Sequence, residues 1–301
     1  MITVFSAPRR LVAALATAGT IFAAGCGNAS AEEVERFADA SRLVAIGGSL
    51  TEIVFALGEQ DKLVARDSTA IYPPEAMALP DVGYMRQLSP EGVMSVNPSA
   101  ILMLEGSGPP EAVEVIRKAS IPVVTVPDLY TSDGIAEKIR IVGHALGVDE
   151  RAAALSAEVE ADLAAAEAAT GGIGQRKKVL FVLSMQSGRL LASGSNTAAD
   201  GIIAMAGGVN PIEGFEGYKQ LSDEAVYEAA PDVVLMMDRG GDHDASANEL
   251  FAHPAMAGTP AAQAGALVKI DGAWLLGFGP RTASAVRELS AALYGTAAVG
   301  N

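Results

Sequence analysis

Cysteine is almost missing: Cys26 is the only one in 301 residues. It falls in the N-terminal segment Ala23-Ala24-Gly25-Cys26, ahead of the patterned part of the chain. The folded part therefore has no thiol, which excludes a cysteine nucleophile, a Cys-based zinc site and an internal disulfide. Histidine is nearly as rare, with His144, His243 and His253 alone. His144 lies in an apolar helical stretch and suits a packed or surface position. His243 sits in Asp242-His243-Asp244 with no spaced second histidine, as expected of a solvated loop or at most a weak metal site. The chain has no G-x-S-x-G elbow, no P-loop, no H-E-x-x-H, and no G-x-G-x-x-G after a strand. The expectation is a protein that is not an enzyme. A metal-dependent hydrolase built on Asp242, His243 and Asp244 is the remote alternative. Positive charge is also in deficit, 21 basic against 36 acidic residues for a net charge of −15. That balance argues against a nucleic-acid partner or an anionic membrane surface.

What is present begins with an export pattern. Arg9 and Arg10 precede an apolar run from Leu11 to Ala24, and small residues cluster at Ala29-Ser30-Ala31. This reads as a secretory signal over residues 1–31. The run of about 14 residues is short for roughly 30 Å of hydrocarbon. Cleavage after Ala31 and lipid attachment at Cys26 are the two fates open to the segment, and Ala23, where lipoprotein signals prefer Leu, favours cleavage. The expected location is periplasmic.

From Arg42 the chain alternates short apolar runs with helical patterns. Strands are predicted at Leu43–Ile46, Leu63–Ala65, Ala100–Leu104 and Ile121–Val126, with helices at Leu50–Leu57 and Glu111–Ala119 between them. Ser132–Leu146 and Asp149–Ala169 follow as helices, the second without Gly or Pro. A second series then starts, with strands at Val179–Leu183, Val233–Met237 and Leu267–Ile270 and helices at Ala198–Ala206 and Thr282–Tyr294. Such alternation implies parallel sheets covered by helices. The predicted fold class is α/β: a lobe over residues 42–147, a rigid connecting helix over 148–172 and a similar lobe over 176–298.

An internal repeat supports the two lobes. Leu88–Met103 overlays Leu221–Met236 at a constant offset of 133, with identity at seven of sixteen positions. Gly83-Tyr84 and Gly217-Tyr218 lie just upstream, one residue out of step. Two lobes of one design face each other across a cleft, the expected ligand site.

Within the first lobe, Arg66-Asp67-Ser68-Thr69-Ala70-Ile71-Tyr72-Pro73-Pro74 follows a strand, and its two prolines stiffen the backbone after Tyr72. A ligand site on a parallel sheet lies at that strand edge. A phenolate oxygen is a hard donor suited to ferric iron and serves as an axial haem ligand. The phenol must first lose its proton, which the metal or a nearby arginine promotes. Packing at a turn is the other role open to Tyr72.

Arg42–Gly58, Arg66–Pro74, Asp81–Glu91 and Gly277-Phe278-Gly279-Pro280-Arg281 together resemble the periplasmic haem-binding proteins of bacterial ABC importers. They are more distantly similar to the cobalamin- and siderophore-binding proteins of the same class. The likeness spans about residues 42–296 and implies capture of haem in the interlobe cleft, with Tyr72 as the iron ligand. It implies aromatic contacts from Tyr84 and Tyr218, and a second-lobe arginine, Arg239, that hydrogen-bonds the tyrosine. Arg66 and Arg86 are candidates for the haem propionates, since a guanidinium pairs both oxygens of a carboxylate, with ordinary surface salt bridging as the other role open to them. No histidine stands where some relatives place a second ligand. The resemblance also gives Glu91 and Glu224, one per lobe in the first turn of a helix, the role of docking onto a permease dimer that works with ATPase subunits. Their local alternative is favourable charge at a helix start.

Overall fold

A computed structural model describes residues 1–3, 35–186, 188–238 and 246–296. The signal segment with Cys26, Arg239, and Asp242-His243-Asp244 lie outside the described residues. Of the chain's two units, Met1–Glu33 and Val34–Asn301, the second holds both sheets.

The first half runs β1 (Leu43–Ile46), α1 (Gly48–Ala56), β2 (Leu63–Arg66), α2 (Pro90–Met94), β3 (Ala100–Leu104), α3 (Pro110–Arg117), β4 (Val123–Val126) and α4 (Ser132–Leu146). Its sheet has the order β2-β1-β3-β4 and is parallel throughout. β1 and β3 are buried at every residue, which is why they read as unbroken apolar runs: helices cover both faces. The connecting helix α5 (Asp149–Ala168) has 20 residues, about 30 Å at 1.5 Å per residue.

The second half runs β5 (Val179–Gln186), β6 (Arg189–Ser193), α6 (Ala198–Met205), β7 (Tyr218–Gln220), α7 (Asp223–Ala229), β8 (Val233–Asp238), α8 (Ala247–Ala252), α9 (Pro254–Ala257), α10 (Pro260–Ala264), β9 (Leu267–Asp271), α11 (Gly272–Leu276) and α12 (Thr282–Tyr294). Its sheet, β7-β6-β5-β8-β9, departs from the all-parallel expectation. Only β5, β8 and β9 are parallel; β6 and β7 are antiparallel to their neighbours. The cause is local. Gln186 pairs with Arg189 across a hairpin whose Gly188 has φ +71°, so the chain turns back at once instead of crossing over through a helix.

The two faces of this sheet go to different places. Val179 and Phe181 of β5 join the large core built on the first sheet, α4, α5 and α12, as do Val233 and Leu235 of β8. Their alternates Leu180, Val182, Val234 and Met236 form a second core with Val226, Leu250 and Met256. The halves thus share one continuous apolar core in addition to the connecting helix.

The repeat has a structural counterpart. Ser89 Oγ accepts a hydrogen bond from Gly92 N at 3.3 Å and Ser222 Oγ one from Ala225 N at 3.2 Å, capping α2 and α7. Asn97 (φ 51°) and Ala230 (φ 40°), 133 residues apart, then turn each chain through the left-handed region into the parallel strands β3 and β8.

Candidate ligand-binding cleft

The site begins at the end of β1. Gly47 and Gly48 let α1 start against the loop after β2: Gly47 N donates to Asp67 Oδ1 at 3.0 Å and Gly48 N to Thr69 Oγ1 at 2.9 Å. A Cβ on Gly48 would stand 2.7 Å from the Thr69 carbonyl oxygen, so a larger residue would push the loop away. Asp67 is fully buried and also accepts from Thr69 N at 3.1 Å. Burial raises its pKa above the usual carboxylate value, while these hydrogen bonds work the other way.

Arg66 braces the same loop from its far side. Its side chain is buried, donating to Ala76 O at 3.2 Å, Asp67 O at 3.0 Å and Asp81 Oδ2 at 3.1 Å. Asp81 Oδ1 in turn accepts from Ser68 Oγ and Gly83 N. Arg66 is not among the residues that line the cleft, and its guanidinium is ion-paired to Asp81. Its donors are committed to holding the ends of the 67–83 loop together, and that loop carries Tyr72 and leads into Tyr84. The Tyr72–Pro73 peptide is cis.

Between the halves lies a cavity of about 590 Å³ lined by both. The first half contributes Ser49, Glu52, Thr69, Ile71, Tyr72, Tyr84, Arg86, Asp128 and Tyr130, and the second Leu183, Tyr218, Met237, Asp238, Asp271, Leu276 and Arg281. Several of these stand at the C-terminal ends of strands, where doubly covered sheets place ligands. Four tyrosines face the cavity, and burial divides them. Tyr72 and Tyr84 are 40% and 41% exposed. Tyr130 is half-buried; its pKa is raised to about 12, by burial first and then by the nearby Asp128. Tyr218 is raised as well, again by burial first. Tyr130 and Tyr218 are thereby held as neutral phenols. Tyr130 packs edge-on against Phe278 at 5.2 Å and Tyr218 against Phe181 at 6.2 Å. Arg86 is exposed at the lining and makes no ion pair among the described residues.

Sequence reasoning did not assign a role to Arg281, Glu52, Lys138 or Tyr130. The Arg281 guanidinium carbon stands 3.3 Å from the centre of the Tyr72 ring and 4.8 Å from that of Trp274. Glu52 holds it through Nη2 at 2.9 Å and through the backbone N–H at 3.2 Å. Lys138 is fully buried and donates to Asp128 at 2.8 Å, Phe278 O at 3.2 Å and Ser49 Oγ at 3.3 Å, so it ties first-half elements to the Gly277–Arg281 turn. Burial lowers its pKa below the usual lysine value. The signal was the Gly277–Arg281 segment itself, whose partner in space, Glu52, is 229 residues away. Glu91 and Glu224 are both exposed, in the first turns of α2 and α7. Hydrogen bonding to its own backbone N–H and to Ser222 lowers the Glu224 pKa.

Two α/β halves facing across a mixed aromatic and charged cleft define a solute-capturing protein. The chain matches the periplasmic binding protein family over residues 43–273 and belongs to it. Members of that family bind and present solutes; the chain is a binding protein, not an enzyme.

Among solved structures it is similar to the periplasmic heme-binding protein RhuT from Roseiflexus sp. RS-1 in apo form. The two are 40% identical with a TM-score of 0.80, over 84% of this chain and 98% of that one. Among curated relatives it is 26% identical to the ABC transporter substrate-binding lipoprotein YvrC of Bacillus subtilis, over 72% of this chain and 70% of the relative. It is 29% identical to a cobalamin-binding protein of Halobacterium salinarum, over 70% of this chain and 58% of the relative. The chain is thus a substrate-binding component that works with an ABC transporter. No helix among the described residues is long and apolar enough to cross a membrane.

Proposed function

We propose that this protein captures haem in the cleft by coordinating ferric iron through the Tyr72 phenolate, and delivers it to the permease of an ABC importer. The observation that carries this reading is Tyr72 itself. It is a half-exposed phenol at the cavity mouth, on a loop fixed at both ends by Arg66 and Asp81. Tyr130 and Tyr218, kept neutral by burial, suit ring contacts instead. Tyr84 offers a further ring against the macrocycle, and Arg86 supplies a guanidinium for a propionate. Arg239 completes the proposed set as a hydrogen-bond donor to the phenolate. The heme-binding relative at 40% identity supports the same ligand class.

Export through residues 1–31 places the protein in the periplasm, with cleavage after Ala31 or lipid attachment at Cys26. Glu91 and Glu224 present one carboxylate from each half to basic residues of the permease dimer, which operates with its ATPase subunits.

The cobalamin-binding relative favours a second reading, in which the same cleft holds a corrinoid. An absorption titration of the mature protein with haemin and with cyanocobalamin separates the two. Haemin is expected to give a saturable Soret change that Tyr72→Phe removes. A response to cyanocobalamin alone, indifferent to Tyr72, overturns the haem reading.

A further inference from the structure

We propose that Arg281 is the positioning residue for the tyrosine ligand: clamped by Glu52, it fixes the Tyr72 ring and offsets the charge of the bond between its phenolate and ferric iron. This rests on the reading of Tyr72 as the iron ligand.

The first support is distance. At 3.3 Å from the ring centre, the guanidinium lies in van der Waals contact with the Tyr72 ring. A cation over an aromatic face is attracted to it, more strongly as water is excluded. The attraction grows when the ring becomes an anion.

The second is restraint. Glu52 grips both Nη2 and the backbone N–H, so the guanidinium is held at two points from one carboxylate. The turn that carries it is fixed separately, by the Lys138 bond to Phe278 O. The third is an orphan. Arg281 Nε is buried and donates to nothing among the described residues. A buried donor calls for a partner, and this one stands on a residue that lines the cavity. A salt bridge to Glu52 alone explains neither the stacking on Tyr72 nor this idle N–H.

The other charged groups at the cavity are Asp128, Asp238, Asp271 and Arg86. Asp128 pairs with Lys138, and Asp271 accepts from Trp274 N at 2.8 Å. Arg281 is the cation in contact with the Tyr72 ring.

The test is a haemin titration of the wild-type protein and of Arg281→Gln, Arg281→Lys, Glu52→Gln and Tyr72→Phe, followed by absorption from pH 5 to 9. Arg281→Gln is expected to weaken haemin binding about tenfold and to shift the phenolate-to-iron charge-transfer band. It should also raise the pH below which haemin is lost by about one unit, a tenfold change in binding for each unit. Arg281→Lys keeps the positive charge and is expected to restore the acid limit but not the band. Glu52→Gln, which frees the guanidinium, is expected to fall between wild type and Arg281→Gln. Should Arg281→Gln fail to fold by circular dichroism, the lysine and Glu52 variants decide by the same readouts.

Wild-type affinity, band and acid limit in the folded Arg281 and Glu52 variants overturn the proposal. If Tyr72→Phe abolishes the band while these variants remain normal, only the role of Arg281 falls. If the wild-type protein takes up no haemin, or Tyr72→Phe keeps the wild-type band, the ligand reading falls and this inference with it.

Discussion

Tyr130 shows how burial assigns chemistry to otherwise identical side chains. Its folded pKa, about 12, lies above the ordinary tyrosine value of 10.0, by burial first and the nearby Asp128 second. The group therefore contributes stability that is fully present below pH 10 and lost as pH rises towards 12. Tyr130→Phe is expected to flatten that alkaline decline and to remove a late-titrating phenol from the absorbance at 295 nm. Both are measured by urea unfolding and ultraviolet titration between pH 9 and 12. Lys138 and Asp128 make a second case at this scale. Breaking a buried pair leaves a charge without its partner, so Asp128→Asn is expected to cost about 3 kcal/mol in urea unfolding. Replacing both, as Asp128→Leu with Lys138→Met, is expected to recover most of that loss. From sequence, Tyr72 stood out because two prolines follow it. The two roles open to Arg66, ligand contact and salt bridging, were not separable from sequence, because an arginine after a strand looks the same whether it faces a cleft or braces a loop. Glu52 and Arg281 gave no local sign of each other, since nothing in either segment encodes their meeting.

At the scale of elements, periodicity served best where burial is symmetrical. The four strands of the first sheet were readable because the central pair, β1 and β3, is buried at every residue and so runs apolar, and β2 and β4 keep most of that pattern. β6 and β7 were not, because β6 opens on an exposed arginine and follows β5 without an intervening helix, and β7 has only three residues. The helix starts at Ser89 and Ser222 were implicit in the repeat, and the structure gives each its capping bond. Ser222→Ala is expected to destabilise the protein by about 1 kcal/mol, read as a lower urea midpoint. With Glu91→Lys or Glu224→Lys, ligand binding in solution is expected to stay unchanged while uptake into permease-containing vesicles falls several-fold. Wild-type uptake by both reversals would remove the docking role.

For the whole molecule, the sequence pointed to two lobes and a strut, and the strut is present as α5. What the chain did not disclose is how the second half is attached. The alternation in β5 and β8 sends one set of side chains to the first half and the other set to a core of its own, and a two-period pattern does not say which neighbour each face will meet. The approach is close elsewhere too: a Cβ on Gly201 of α6 would lie 2.5 Å from Tyr130 O. Gly201→Val is expected to force the halves apart at that point, lowering the melting temperature and weakening ligand binding together.

The unbroken apolar seam has a further consequence for heredity as well as for heat. A chimaera that joins the opening half of this protein to the closing half of a relative inherits two surfaces shaped for other partners. It should melt early and broadly unless the side chains along the join are exchanged as a set. The two halves, alike in their helix caps, are not interchangeable modules.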